Sequence, residues 1–371
     1  MRVPQLDLLR FLAVFLVLGR HLTPCPEALC PWLFQVTRAW HRGGWVGVDL
    51  FFVLSGFLVS GLLFREHART GGVRAGHFLI RRGFKIYPAF WALLAATLVL
   101  GGLREATPAN VIGELTFFQN YVGRLWNHTW TLAIEEHFYF LLAAFVAWRC
   151  RRRPEAPFAA IPWLFFAIAL VCLGLRLAAA ASGAPYSHEA RLFPTHLRID
   201  SLLFGVWISY AWHRGGLRDH AWLAPAAPAL ALAGAALLAP AFAFKLETTP
   251  WLPTVGLTGI YVGSGLLMLA MLASDPARFR WLAPLTHAGR DSYSIYLWHM
   301  PVSLWIVGSV ARRHGPLDWP VYAALYLVGA LAVGIAMARL VELPVLRLRD
   351  RLYPSRSGSL AAGVEHESAS A

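Results

Sequence analysis

Apolar runs of about 17–23 residues recur along the whole of this chain, and they restrict its fold more than any other feature. A hydrocarbon core of about 30 Å takes an apolar helix of roughly 20 residues. No water inside it satisfies a free N–H or C=O, so each run is expected to close its own hydrogen bonds as an α-helix. Ten spans are read, at 7–23, 45–64, 83–101, 130–148, 160–180, 196–213, 221–242, 254–273, 292–310 and 320–340. The expected fold is therefore all-α, a polytopic membrane bundle of about ten transmembrane helices. Composition agrees: 57% of residues are hydrophobic and 14% charged, against about 25% charged in a soluble domain.

The net charge of +13 would point to nucleic acid in a soluble protein. Here the lipid bilayer sorts the charge, and no nucleic-acid partner is expected. Basic residues crowd every second loop. Arg65, Arg69, Arg74, Arg81, Arg82 and Lys85 follow the second span, Arg149, Arg151, Arg152 and Arg153 the fourth, and Arg278, Arg280 and Arg290 the eighth. The positive-inside tendency places those loops and both termini in the cytoplasm. Residues 1–354 read as one membrane domain and the Ser/Ala-rich 355–371 as a disordered cytoplasmic tail. No cleavable signal peptide is expected, because no small-residue cleavage site follows the first run. Cys25 and Cys30 share the first loop and can pair in an oxidising compartment. No Cys/His spacing matches a zinc site, so no metal is expected.

The first span carries two residues that a membrane helix avoids, Arg10 and His21, eleven positions apart. At about 100° per residue that interval closes to within about 20° of whole turns, so both project from one face. Their separation along the axis is roughly 16 Å. An arginine in an apolar span costs at least about 2.5 kcal/mol unless it finds a partner or water. Either Arg10 faces a cavity onto which His21 also opens, or Arg10 snorkels to the near headgroups and His21 sits in the far interface.

Other polar residues break the later spans. Asp49 stands near the start of the second, as a charge favoured by the helix dipole or as a buried partner. Ser55 and Gly56 are small enough for close helix packing. Arg82 and Lys85 face one way at i, i+3, either as an interfacial anchor or as ligands for phosphate. Glu135 and Glu136 point about 100° apart on one helix, so at least one must face a polar interior. It serves there either as a structural partner of an arginine or in catalysis. Arg198 and Asp200 are two residues apart and so reach different neighbours, which implies a network between helices. His299 lies in the ninth span, followed by Pro301 and an expected kink.

Taken together these stretches resemble the bacterial integral-membrane acyltransferases of the acyltransferase family 3 group. The likeness rests on Arg10, ten residues, then His21; on Gly-Val-Asp-Leu-Phe-Phe-Val-Leu-Ser-Gly-Phe at 47–57; and on Trp-Thr-Leu-Ala-Ile-Glu-Glu-His-Phe-Tyr at 130–139. It continues through Arg198-Ile-Asp200, Ser292-Tyr-Ser-Ile-Tyr-Leu-Trp-His299 and Val341-Glu-Leu-Pro344. The basic motif at 82–85 differs, ending in Lys85 where the family has arginine, and His137 replaces the usual glutamine.

The resemblance implies an O-acyltransferase of the bacterial inner (plasma) membrane. It would move an acetyl or other short acyl group from acetyl-CoA to a hydroxyl of a glycan or lipid-linked sugar. Arg10, Arg82 and Lys85 would hold the CoA phosphates. His21 would act as general base or carry the acetyl group itself. Glu135 or Glu136 would orient it, and Ser55, Tyr139 or His299 would donate to the oxyanion. Asp49, Arg198 and Asp200 would complete the substrate site or its supporting network. Direct acylation of the acceptor is expected, without a soluble outer domain. A transporter or flippase for a glycan or acyl group is the competing reading, in which the buried charges bind substrate or relay protons.

Overall fold

The computed structural model describes residues 3–100 and 106–357; most of the expected tail, 358–371, lies outside them. The described chain is helical throughout, with no strand. In order the helices are α1 (Pro4–His21), α2 (Pro31–Gly43), α3 (Val46–Thr70), α4 (Ala75–Leu100), α5 (Pro108–Leu115) and α6 (Gln119–Val122). Next come α7 (Trp130–Arg152), α8 (Ile161–Ala181), α9 (His188–Arg191), α10 (Ile199–His213) and α11 (Leu223–Ala243). The last are α12 (Leu257–Ala273), α13 (Ala283–Arg290), α14 (Ser292–Pro301), α15 (Gly308–His314), α16 (Trp319–Met337) and α17 (Leu343–Leu352).

Eight of the described helices, some joined end to end, are long and apolar enough to cross a membrane. The chain is a multi-pass membrane protein. Ten spans were expected, and the two that fall outside the eight are α1 and α10. α1 has 18 residues but carries Asp7, Arg10 and Arg20, and α10 has 15 residues. α10 is buried over most of its length and α1 along one face, while Leu12 and Phe15 of α1 stay exposed.

Two boundaries differ from the hydropathy reading in ways that matter for the site. α4 begins at Ala75, so Arg81, Arg82 and Lys85 lie inside the helix rather than ahead of it. The last span continues past its expected end, from Trp319 to Leu352, so Glu342 is an interior residue. Wide π-helical turns interrupt this span at Ala338–Glu342, the ninth at Val302–Val307 and the eighth at Leu252–Gly256. Such turns re-aim the side chains around them.

Apolar side chains gain little by leaving lipid for protein, so close packing and buried polar pairs carry the association of helices. α3 and α10 cross in backbone contact at Gly56 and Gly205. A Cβ on Gly56 would stand 1.9 Å from the Leu202 carbonyl oxygen, and one on Gly205 would stand 2.1 Å from that of Val53. Beside this crossing Arg198 donates to both oxygens of Asp49 at 2.9 Å. Arg176 on α8 donates to Asp200 at 2.7 Å. All four side chains are buried. Arg198 and Asp200 thus reach different helices, as their spacing implied. Cys25 and Cys30 are free thiols.

Candidate active site

Helix α1 connects two chemically different ends of the bundle. Its first turns, with Asp7 and Arg10, line a cavity of about 560 Å³ that also takes in Arg65, Arg82, Arg290 and Arg349. This is the basic mouth. A second cavity of about 160 Å³ lies deeper and shares Arg10, Leu58, Arg82, Lys85 and Arg290 with the mouth. The last turn of α1 lines a third cavity of about 100 Å³ with Arg20, His21, Asn127, His128 and Trp130. Val48 and Tyr296 are common to the second and third. The three cavities therefore form a row between the first turns of α1 and its last, the middle one touching α1 at Arg10 and lined mainly by α3, α4, α7 and α14, with Val48 and Tyr296 between it and the third.

The cations at the mouth differ in how they are held. Arg10 donates to Asp7 at 2.9 Å and stays about one-third exposed, at 36%. Arg290 stands 3.5 Å from the same carboxylate. Lys85 is already paired with Glu342, whose other oxygen accepts from Ser294 at 2.7 Å. Arg82 lies over the rings of Phe78 and Tyr139, at 5.8 and 6.0 Å, and has no carboxylate partner among the described residues. Of the three cations proposed from sequence, Arg82 is thus the one whose charge is uncompensated, and Lys85 is the one most fully neutralised.

The adjacent glutamates diverge, as their 100° offset requires. Glu135 faces the middle cavity and accepts from the Tyr139 hydroxyl at 2.5 Å and from Ser55 at 3.1 Å. Glu136 turns toward α4 and accepts from Tyr87 at 2.8 Å. Neither lines the cavity that His21 lines. The expected carboxylate–His21 pair is therefore not formed, because both acids lie on the mouth side of Tyr296 or behind it.

His21 meets other imidazoles instead. Its ring centre is 5.0 Å from that of His299, which is 4.9 Å from that of His128. His128 was passed over in the sequence, although it stands two residues before Trp130. The signal for it is Pro301. Proline has no N–H, so the carbonyl four residues earlier, Leu297, loses its helical donor. His128 Nε2 supplies the replacement at 3.1 Å. Tyr296, also unanticipated, bridges Thr131 at 2.8 Å and the His128 carbonyl at 2.7 Å. Glu114 on α5 braces the same loop, accepting from Leu125 N, Trp126 N and Thr129 Oγ1. Burial pushes its carboxyl up to about 7, against those three bonds.

Fold and site together define a polytopic helical membrane protein built round a charged internal passage. Residues 3–339 match the family described as acyltransferase domain, and the chain belongs to that family, acyltransferase family 3. The relatives it matches include an O-acetyltransferase OatA of Staphylococcus aureus (strain NCTC 8325 / PS 47), 26% identical over 90% of this chain and 58% of that protein. A putative O-acetyltransferase of Staphylococcus aureus (strain COL) is 27% identical over 81% of this chain and 50% of that protein. The chain thus spans 50–58% of the length of these relatives. No solved structure matches it.

Proposed function

We propose that this protein is an O-acyltransferase of the bacterial plasma membrane. It takes an acetyl or other short acyl group from acyl-CoA at the basic mouth, on the cytoplasmic side. It delivers that group to a hydroxyl of a carbohydrate-containing acceptor, a surface polysaccharide or its lipid-linked precursor, at the His21 end. The observation that supports this most is the row of cavities from unpaired Arg82 to His21, joined through Arg10 at one end and Val48 and Tyr296 at the other.

In this reading the CoA phosphates lie against Arg10, Arg82 and Arg290, where guanidinium groups suit phosphate oxygens. Lys85, held by Glu342, shapes the neck instead. The pantetheine arm runs through the middle cavity past Ser55, Glu135 and Tyr139. Its length is comparable to the roughly 16 Å from Arg10 to His21. The thioester carbonyl then stands at the Tyr296 partition. His21 removes the acceptor hydroxyl's proton as the C–O bond forms. The C–S bond breaks, and the departing thiolate takes up one proton, so the balance closes.

The test is turnover of labelled acetyl-CoA by the purified protein in nanodiscs. The reading expects acetyl-CoA binding, with slow hydrolysis or transfer to added glycan. A folded protein that neither binds nor turns over acetyl-CoA contradicts it. Movement of glycan or acyl label across a vesicle wall without CoA would establish the transporter instead.

A further inference from the structure

The hydrogen bonds of two histidines at the end of the passage fix which nitrogen of each carries the proton. A backbone carbonyl only accepts, so the ring nitrogen facing it must be N–H. His299 therefore holds its proton on Nδ1, 2.5 Å from the Tyr296 carbonyl oxygen. His128 holds its proton on Nε2, toward the Leu297 carbonyl. What remains is one bare lone pair on His299 Nε2 and one on His128 Nδ1. Both atoms are buried and without a partner among the described residues. The two residues are 0% and 3% exposed. A neutral His299 thus has no N–H to offer an oxyanion; it can only accept.

The surroundings of His21 give that acceptor a use. No carboxylate lines its cavity. Its basic neighbours are Arg20 and the imidazoles of His41, His128 and His299, and Glu247 is already engaged by Arg20 at 3.1 Å and His188 at 3.6 Å. Among the described residues the His21 imidazole has no hydrogen-bond partner. A proton taken onto His21 is therefore poorly held there. On His299 the same proton turns the Tyr296 carbonyl contact into a charge-assisted bond, and the ring of His128 offers a second bare nitrogen.

We infer that His299, backed by His128, is the proton store of the acyl transfer. This rests on the acyl-transfer reading of the same site. The acceptor's proton passes to His21 as the new C–O bond forms, then to the bare Nε2 of His299, whose ring centre is 5.0 Å away, with His128 and its bare Nδ1 on the next ring at 4.9 Å. When the C–S bond breaks, the CoA thiolate receives a proton from the store and leaves as the thiol. Both rings return to their neutral tautomers, and no proton is gained or lost.

Two conservative variants separate the store from mere scaffolding. Asparagine places its amide nitrogen where Nδ1 stood, and glutamine places its own where Nε2 stood. His299→Asn and His128→Gln therefore retain the carbonyl bonds and remove only the bare nitrogens. His299→Asn is expected to lower kcat about 100-fold at pH 7 with KM for acetyl-CoA unchanged, and His128→Gln about 10-fold, within the range of acid–base catalysis. Added imidazole should restore part of each loss, and the pH profile should lose its acidic limb. Wild-type kcat and pH profile in both variants would overturn the store while leaving acyl transfer in place. A loss of kcat that imidazole does not relieve would assign the two rings a structural role and overturn it equally. A wild-type protein without acetyl-CoA turnover would remove the reading and the store together.

Discussion

The two ends of the passage solve opposite problems. The mouth is wide, at about 560 Å³, and its arginines are long, partly exposed and loosely paired. The far cavity is about 100 Å³ and is walled by Trp45, Trp130 and Phe193, with the His128 imidazole fastened to a backbone carbonyl and His299 likewise fastened behind it. A polyanion with many rotatable bonds is best gathered by several mobile cations. A reaction that moves one proton needs a few atoms held still in a dry site. In the proposed reading the contrast separates binding from chemistry along α1, so changes at one end should leave the other end's constants alone.

The strongest test of that separation is His21→Ala. Acyl transfer is expected to fall by about 1,000-fold, in the range for loss of an acid–base group, while the affinity for acetyl-CoA is unchanged. Filter binding and label transfer on one preparation check both. Next in size, Arg198→Met should cost about 3–5 kcal/mol by leaving Asp49 charged and unpaired in the bundle, whereas Arg198→Met with Asp49→Leu should recover most of it. Thermal unfolding in detergent reads this, and equal loss in both variants would show that the pair itself holds α3 to α10.

Smaller effects sharpen the mouth. Arg82→Gln is expected to raise KM for acetyl-CoA about 10-fold at unchanged kcat, as loss of one phosphate contact would. Lys85→Gln should instead act mainly on stability, since it strands Glu342. The smallest effect concerns Glu114, whose carboxyl is raised from 4.5 to about 7 by burial. The folded state then binds the extra proton, so stability is greatest below about pH 4.5 and falls as pH rises to about 7. Glu114→Gln should flatten that slope, measured as melting temperature against pH.

Much of this was legible in the sequence because it follows from helix geometry. The interval from Arg10 to His21 places both on one face, and the offset of Glu135 from Glu136 sends them apart, whatever surrounds them. Arg198 and Asp200 declared separate partners for the same reason. The partners themselves were not legible. His128 reaches a carbonyl 169 residues away, and Lys85 reaches Glu342 across 257. Periodicity within one helix carries no information about such pairs. The π turn at Ala338–Glu342 and the start of α4 at Ala75 also escaped, because hydropathy sees where lipid begins and not where a helix does.

The separation of donor and acceptor ends is tested most directly in proteoliposomes of uniform orientation, with labelled acetyl-CoA supplied to one face at a time. Turnover from the face that carries Arg82 and Arg290, and none from the face that carries Arg20 and His188, is the predicted result. Equal turnover from the His21 side would mean that acyl-CoA enters where the acceptor should, and would contradict the division of labour along α1.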